Sequence, residues 1–86
     1  MGWVVTRDHL DEKDIEVIGP RNIKPENVEL LKSGKGIPFK MFDDDGELYY
    51  TGRMTSVSFD PLDHYGAPNA GCTRLDYCEN GKWETL

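Results

Sequence analysis

The feature that most constrains the fold is the segment Phe39–Thr51, in which two runs rich in aromatic residues flank Asp44-Asp45-Gly46. A type I turn at the two aspartates, with Gly46 at positive φ, closes a three-residue hairpin that carries a bulge. The predicted pairs, counted outward from the turn, are Asp43 with Glu47, Phe42 with Leu48, Met41 with Tyr49 and Lys40 with Tyr50. Large apolar groups then fall on both faces, so the segment predicts a central hairpin that is covered in part on each side.

Shorter patterns around this hairpin predict further strands and one helix. β-Branched residues favour strands over residues 3–8 and 15–18, and the outgoing strand of the hairpin can continue through residues 52–59. Pro25 suits the first position of a short helix, which ends where Gly34 supplies a left-handed C-cap. At about nine residues this helix is too short to persist alone, so it must dock on the sheet.

A second hairpin is predicted near residue 80, where Asn80-Gly81 is a strong signal for a type I′ turn. This turn joins strands over residues 72–78 and 82–86, with Cys78 opposite Trp83. Residues 60–71, which precede it, contain two prolines, two glycines and no hydrophobic period. They predict one long irregular loop, and long ordered loops often carry function.

These elements predict the fold class and the domain organisation. Eighty-six residues fit one domain over residues 1–86, with a modest core. The order of elements favours an α+β fold, in which an antiparallel sheet of five or six strands carries one short α-helix on one face.

The net charge of −6 comes entirely from the second half of the chain. Residues 1–42 hold seven acids and seven bases, whereas residues 43–86 hold nine acids and three bases. Such a field attracts basic partners and repels nucleic acid, and no run of basic residues suited to nucleic acid occurs. The same surplus of acids also serves solubility, so charge alone does not decide between the two roles.

Metal and cofactor sites are not predicted. Asp43-Asp44-Asp45-Gly46 suggests calcium, but a calcium loop with Gly46 at its sixth position would begin at Met41 and end at Gly52. Neither residue is a suitable ligand. Zinc-type spacings of cysteine and histidine are absent, as are glycine patterns that bind phosphate.

Cys72 and Cys78 are predicted to be free thiols on one face of one strand, because six residues of strand separate their Cα atoms by roughly 20 Å. Two free cysteines, no apolar run of ~18 residues and no signal-type start together predict a cytoplasmic protein that makes no membrane contact.

Two alternative functions depend on other features of the sequence. In the first, His64 and Cys72 meet across the long loop, with Asp63 or Asn69 orienting the imidazole, in a small enzyme or ligand-binding domain. In the second, the small core and many aromatic residues belong to an accessory subunit of a larger complex.

Two stretches, 43–50 and 66–73, resemble segments of small acidic bacterial or phage-type proteins that have no characterised activity. The resemblance covers roughly the C-terminal half of the chain. It implies a bacterial or phage setting, and it implies neither an activity nor a functional residue.

The sequence thus favours a non-enzymatic module that binds a basic protein surface. A sharper hypothesis is an inhibitor from a phage or mobile element, of the anti-CRISPR or anti-restriction type, whose carboxylates stand in for phosphates. Asp60 and Asp63 join the hairpin tip if the long loop folds back toward it, and the acids then form one cluster. The predicted partner-binding residues are Asp43, Asp44, Asp45, Glu47, Asp60, Asp63 and Tyr65.

Overall fold

A computed structural model describes residues 2–86. It contains six strands, β1 to β6, and two helices, α1 and α2, the second of which is a π-helical turn followed by an α-helical turn. In chain order the elements are β1 (Trp3–Asp8), β2 (Lys13–Gly19), α1 (Pro25–Lys32), β3 (Ile37–Phe42), β4 (Leu48–Met54), α2 (Leu62–Gly66 and Ala67–Ala70), β5 (Arg74–Glu79) and β6 (Lys82–Thr85).

The strands form one antiparallel sheet in the order β2-β1-β4-β3-β5-β6. The predicted hairpin, β3 with β4, lies at the centre, and β2 and β6 are the edges. This architecture confirms the predicted α+β fold, and it adds a second helix that the sequence did not reveal.

The register of the central hairpin agrees with the predicted one for the first two pairs and differs from Met41 onward. Phe42 lies opposite Leu48 as predicted, but Met41 pairs with Tyr50 and not with Tyr49. The ladder shifts between Met41 and Phe42, so Tyr49 is the extra residue of a bulge. A shift of one residue exchanges the faces of a strand, and it moves Tyr50 onto the same face as Met41.

One face of the sheet holds the core. Phe39, Met41, Val5 and Leu75 are fully buried there, and Tyr50 is 5% exposed. Close approach of the central strands depends on Gly52, because a Cβ at this position would overlap the Val4 carbonyl oxygen and lie 2.7 Å from Phe39 Cζ. Gly52 is therefore a packing position within β4; the neighbouring irregularity lies in β1, between Val5 and Arg7.

Helix α2 covers this core face, and it corrects the prediction of an irregular loop over residues 60–71. The wide turn is defined by the Ala67 N–H, which donates to the Leu62 carbonyl. Pro68 follows directly and cannot donate a hydrogen bond, which explains why the regular α-helical ladder is interrupted here. The Asn69 side chain donates to the Tyr65 carbonyl at 2.9 Å, and Gly71 ends the helix at φ +72°.

Helix α1 lies on the opposite face, beside β1 and β2. Its Lys32 forms a salt bridge with the Glu16 carboxylate at 2.8 Å. Ile15 and Val17, the neighbours of Glu16 in β2, pack on the core face, so Glu16 itself points to the opposite face. Leu31 supplies the buried side chain of this helix. Because α1 reaches only this side of the sheet, the rest of the opposite face is left without a helix.

The second hairpin confirms its predicted turn, with Asn80 at φ +53° and Gly81 at φ +77°. Cys78 lies opposite Trp83, as predicted. The prediction that both cysteines share one strand is wrong, because β5 begins after Cys72. Cys72 is buried in the core under α2, Cys78 is half-buried within β5, and both are free thiols.

Candidate functional site

The turn between β3 and β4 presents four acids, Asp43, Asp44, Asp45 and Glu47, which we name the acidic turn. Its backbone is fixed by the Asp43 carboxylate, which accepts hydrogen bonds from the N–H groups of Asp45 at 2.9 Å and Glu47 at 2.8 Å. The Asp43 carbonyl accepts a further bond from the Gly46 N–H at 3.1 Å. Gly46 has φ +80°, as the predicted turn requires.

These bonds also set the ionisation of the turn. The hydrogen bond from the Glu47 N–H holds the pKa of Asp43 below its usual range, and a bond from the Tyr49 hydroxyl acts in the same direction. Within residues 2–86 none of the four acids forms a salt bridge. Asp44, Asp45 and Glu47 are exposed, so the turn carries negative charge that the described chain does not neutralise.

The other two predicted acids do not join this turn. Strand β4 carries the chain away from the acidic turn over seven residues, or about 23 Å, and residues 55–61 then lead to the start of α2. Asp60 contacts His64, with 3.8 Å between Oδ1 and Nε2, and His64 lies beside Trp3 and Pro20. Asp63 is exposed on the same helix. The predicted single cluster is therefore divided into two acidic groups.

Tyr65, also predicted to bind a partner, is half-buried and packs on the core. Its ring centroid lies 5.0 Å from that of Tyr50 in an edge-on arrangement and 6.5 Å from that of Trp3. These contacts bury most of the ring surface that a partner would need, and they account for the position of α2 on the sheet.

The structure does not place His64 and Cys72 in one cavity. His64 lines a cleft of about 390 Å³ with Trp3, Pro20 and Tyr65, and Cys72 is not part of that cleft. Burial raises the pKa of the Cys72 thiol to about 11, and the charge of Asp43 adds to the effect. At neutral pH this thiol is protonated and unsuited to nucleophilic attack.

A second surface, which the sequence did not predict, lies on the face opposite α2. Its members line a shallow cavity of about 250 Å³ with the Phe39 and Gly52 backbone beneath. We name it the open face, and its residues are Thr6, Pro38, Lys40, Thr51, Arg53 and Trp83.

The open face is cationic and aromatic. Lys40 Nζ lies 4.3 Å from the centroid of the Trp83 ring, and the side chain of Trp83 is 46% exposed. Lys40 and Arg53 are half-buried, yet neither forms a salt bridge within residues 2–86. Asp76 lies opposite Lys40 on the adjacent strand, but its carboxylate is bound by Arg74 at 3.2 Å and by the Thr85 hydroxyl.

The predicted register concealed this surface. The sequence paired Lys40 with Tyr50, whereas the bulge at Tyr49 places Lys40 opposite Thr51 and aligns Pro38 with Arg53. Trp83 reaches the same face only because β5 inserts between β3 and β6, an order that local patterns do not specify. The pairing of Cys78 with Trp83 was the one predicted contact that pointed toward it.

Metal binding and membrane spanning can be assessed over all the residues that the structure describes. Among residues 2–86 no three His, Cys, Asp or Glu side chains are placed to hold a metal ion. No helix in that range is long and apolar enough to cross a membrane. Comparisons of the chain with protein-family profiles, with curated proteins and with solved structures found no match.

Proposed function

We propose that this protein is a small, non-enzymatic module whose acidic turn binds a basic surface on a partner protein. The observation that supports this most directly is that Asp44, Asp45 and Glu47 are exposed and lack a basic partner in residues 2–86. Neighbouring carboxylates within about a Debye length, ~8 Å, repel one another. A basic partner would relieve that repulsion, and binding would gain from it.

The geometry of the turn favours binding because it is fixed before a partner arrives. The Asp43 carboxylate accepts hydrogen bonds from two backbone N–H groups, and these bonds fix the backbone from which the other three acids project. A preorganised turn loses little conformational entropy on docking. We therefore assign Asp43 a positioning role and Asp44, Asp45 and Glu47 the contacts with the partner.

The sharper form of the proposal is an inhibitor from a phage or mobile element, of the anti-CRISPR or anti-restriction type. Its acidic turn would occupy a groove that otherwise holds nucleic acid, with carboxylates in the positions of phosphates. The small size and the acidic second half of the chain support this form. The two free thiols suit the reducing cytoplasm in which such a partner acts.

The alternative, a cysteine–histidine enzyme on residues 60–72, has less support. The raised pKa of Cys72, at about 11, keeps the thiolate that would act as the nucleophile scarce at neutral pH, and Cys72 does not line the cleft that holds His64. The cleft beside His64 leaves a ligand-binding version open to test, and His64→Ala should then change the affinity for whatever ligand binds there.

An inhibition assay with two well-defined enzymes tests the proposal. Purified protein is added to a guide-loaded CRISPR effector nuclease and to a type I restriction endonuclease, and DNA cleavage is measured at about 50 mM and about 300 mM salt. We expect inhibition of at least one enzyme, with weaker inhibition at the higher salt concentration.

Two triple variants separate charge at the turn from net charge. Asp44→Asn/Asp45→Asn/Glu47→Gln keeps Asp43 and its backbone bonds, and we expect it to lose inhibition. The matched control, Glu12→Gln/Glu26→Gln/Glu29→Gln, removes three exposed acids elsewhere and should inhibit as the wild type does. Equal loss in both variants contradicts a specific role for the turn, and failure to inhibit either enzyme contradicts the inhibitor hypothesis.

A further inference from the structure

The open face carries features that the acidic turn does not explain. Lys40 and Arg53 are half-buried and unpaired within residues 2–86, although acids outnumber bases in this chain by sixteen to ten. Two acids of the same sheet are already paired, Asp14 with Arg7 at 3.0 Å and Asp76 with Arg74 at 3.2 Å. Two cations that line one cavity and have no acidic partner in residues 2–86 therefore favour an anionic ligand.

The aromatic group narrows the class of that ligand. Trp83 stands at the rim of the cavity, 46% exposed, with Lys40 Nζ over its ring. An exposed indole next to cationic side chains is the arrangement by which proteins stack a base and hold its phosphate. The Thr6 hydroxyl donates to the Thr51 carbonyl at 3.4 Å, and the Thr51 hydroxyl lies 3.2 Å from His9 Nε2. Both hydroxyl oxygens line the same cavity and keep a lone pair that can accept a hydrogen bond from a sugar.

The size of the cavity and the charge of the chain decide between a free nucleotide and a nucleic-acid strand. The cavity of about 250 Å³ lies below the usual range for drug-sized ligands, so it can hold no more than one nucleotide unit, part of which would stay exposed. A strand would extend from it across a protein of net charge −6, and the acidic turn belongs to the same hairpin. Repulsion of the additional phosphates opposes that mode of binding.

We propose that the open face binds a free mononucleotide, with the phosphate between Lys40 and Arg53 and the base against the exposed surface of Trp83 that Lys40 does not cover. An acidic peptide would satisfy the two cations but would leave the indole unused. This site is independent of the acidic turn, and either proposal can fail without the other.

Binding is tested with adenosine 5′-monophosphate as the probe, by titration of the ¹⁵N-labelled protein in NMR spectra. We expect the Nε1 resonance of Trp83 and the amides of Thr6, Thr51 and Arg53 to shift together, while those of Asp44 and Asp45 stay fixed. Adenosine, which lacks the phosphate, should bind at least about tenfold more weakly.

Three further ligands serve as arms of the same experiment. A six-residue adenylate oligonucleotide that binds more than about tenfold tighter than the mononucleotide would overturn the choice of a free nucleotide. Hexaglutamate that binds as tightly as the mononucleotide would overturn the role of Trp83. If inorganic phosphate displaces the mononucleotide fully at equal concentration, the role of Trp83 is also overturned, because the base would then contribute nothing to the affinity.

Variants complete the test. Lys40→Gln/Arg53→Gln should weaken the affinity for the mononucleotide by at least about tenfold, and Trp83→Leu should weaken it as well. The matched control, Lys24→Gln/Lys35→Gln, removes two exposed cations away from the open face and should bind as the wild type does. Should a variant fail to fold, the pattern of shifts in the wild-type protein decides alone. No shift at about 10 mM mononucleotide, or shifts centred away from the open face, would overturn the proposal.

Discussion

The tip and the body of one hairpin carry opposite charge. At the tip, the acidic turn exposes three carboxylates that have no basic partner in residues 2–86. In the body, Lys40 and Arg53 lie on the open face, and the adjacent residues Met41 and Met54 are buried in the core on the other face. Acidic and basic residues are thus separated along the length of the hairpin. Within its body, successive side chains point to opposite faces, so the cations lie on one face and the buried core residues on the other.

This comparison shows why the net charge of −6 describes the molecule poorly. A ligand near the surface responds to charges within roughly a Debye length, about 8 Å, and not to the sum over the chain. The acidic turn and the open face are expected to select ligands of opposite sign.

Adjacent residues of β3 should differ most sharply in their effect on stability. Met41 is fully buried, so Met41→Ala should lower the free energy of unfolding by about 2–5 kcal/mol. Lys40→Gln, one residue away on the other face, should cost no more than about 1 kcal/mol, which includes its contact with Trp83. Urea denaturation of both variants measures the difference. Similar losses would show that the open face is part of the structural core.

The two cysteines should differ in reactivity. With the pKa of Cys72 raised to about 11, its thiolate fraction at pH 8 is about a hundredfold below that of an ordinary thiol. In Cys78→Ser, the remaining Cys72 should react with a thiol reagent at least about a hundredfold faster after unfolding in urea than before. In Cys72→Ala, the remaining thiol is the half-buried Cys78, and it should react with the same reagent in the folded state. Rapid labelling of Cys72 in the native protein would contradict its burial under α2.

The backbone bonds of Asp43 should make the stability of the turn depend on pH. Because folding lowers the pKa of Asp43, its stabilising contribution is present above the ordinary aspartate pKa and is lost as the pH falls through the lowered value. At pH 7, Asp43→Ala should lower Tm by about a few degrees, whereas Asp44→Ala should not. The gap between the two variants should narrow as the pH falls below the ordinary aspartate pKa and close below the lowered pKa of Asp43. A gap that persists in acid would assign the effect to packing and not to the carboxylate.

Salt should stabilise the free protein slightly through the acidic turn. Raising the concentration of KCl screens repulsion among the carboxylates, and we expect Tm to rise by about one or two degrees. The Asp44→Asn/Asp45→Asn/Glu47→Gln variant should show a smaller rise in the same thermal scan. An equal rise in both proteins would place the repulsion elsewhere on the surface.

Local sequence patterns predicted much of the fold. The first strand, both hairpin turns and α1 were found because turn glycines, β-branched runs and an N-terminal proline act within a few residues. The bulge was expected near Gly46, but nothing in Tyr49-Tyr50 shows which residue is the extra one. That single residue decided whether Lys40 and Arg53 were seen as neighbours of the same surface.

Helix α2 could not be predicted, because its stability comes from tertiary contacts. Prolines and glycines hide its period, and it is held by packing of Tyr65 on Tyr50 and by the close approach of Gly66 to Met41. A Cβ on Gly66 would lie 2.7 Å from the Met41 sulfur. The acids of the turn were identified from the sequence, whereas their separation from Asp60 and Asp63 follows from the path of β4 and α2.

The local charge of the open face, which we expect to be positive on a protein of negative net charge, can be measured without any partner. Trp83 is 46% exposed on that face and Trp3 is 5% exposed in the core, so ionic quenchers of tryptophan fluorescence report mainly on Trp83. Quenching by iodide and by caesium is compared at constant ionic strength, and each is normalised to its quenching of free N-acetyltryptophanamide.

We predict that iodide quenches Trp83 about twofold more effectively than caesium, and that Lys40→Gln/Arg53→Gln reverses the order. Stronger quenching by caesium in the wild-type protein, as the net charge of −6 alone would give, contradicts the claim.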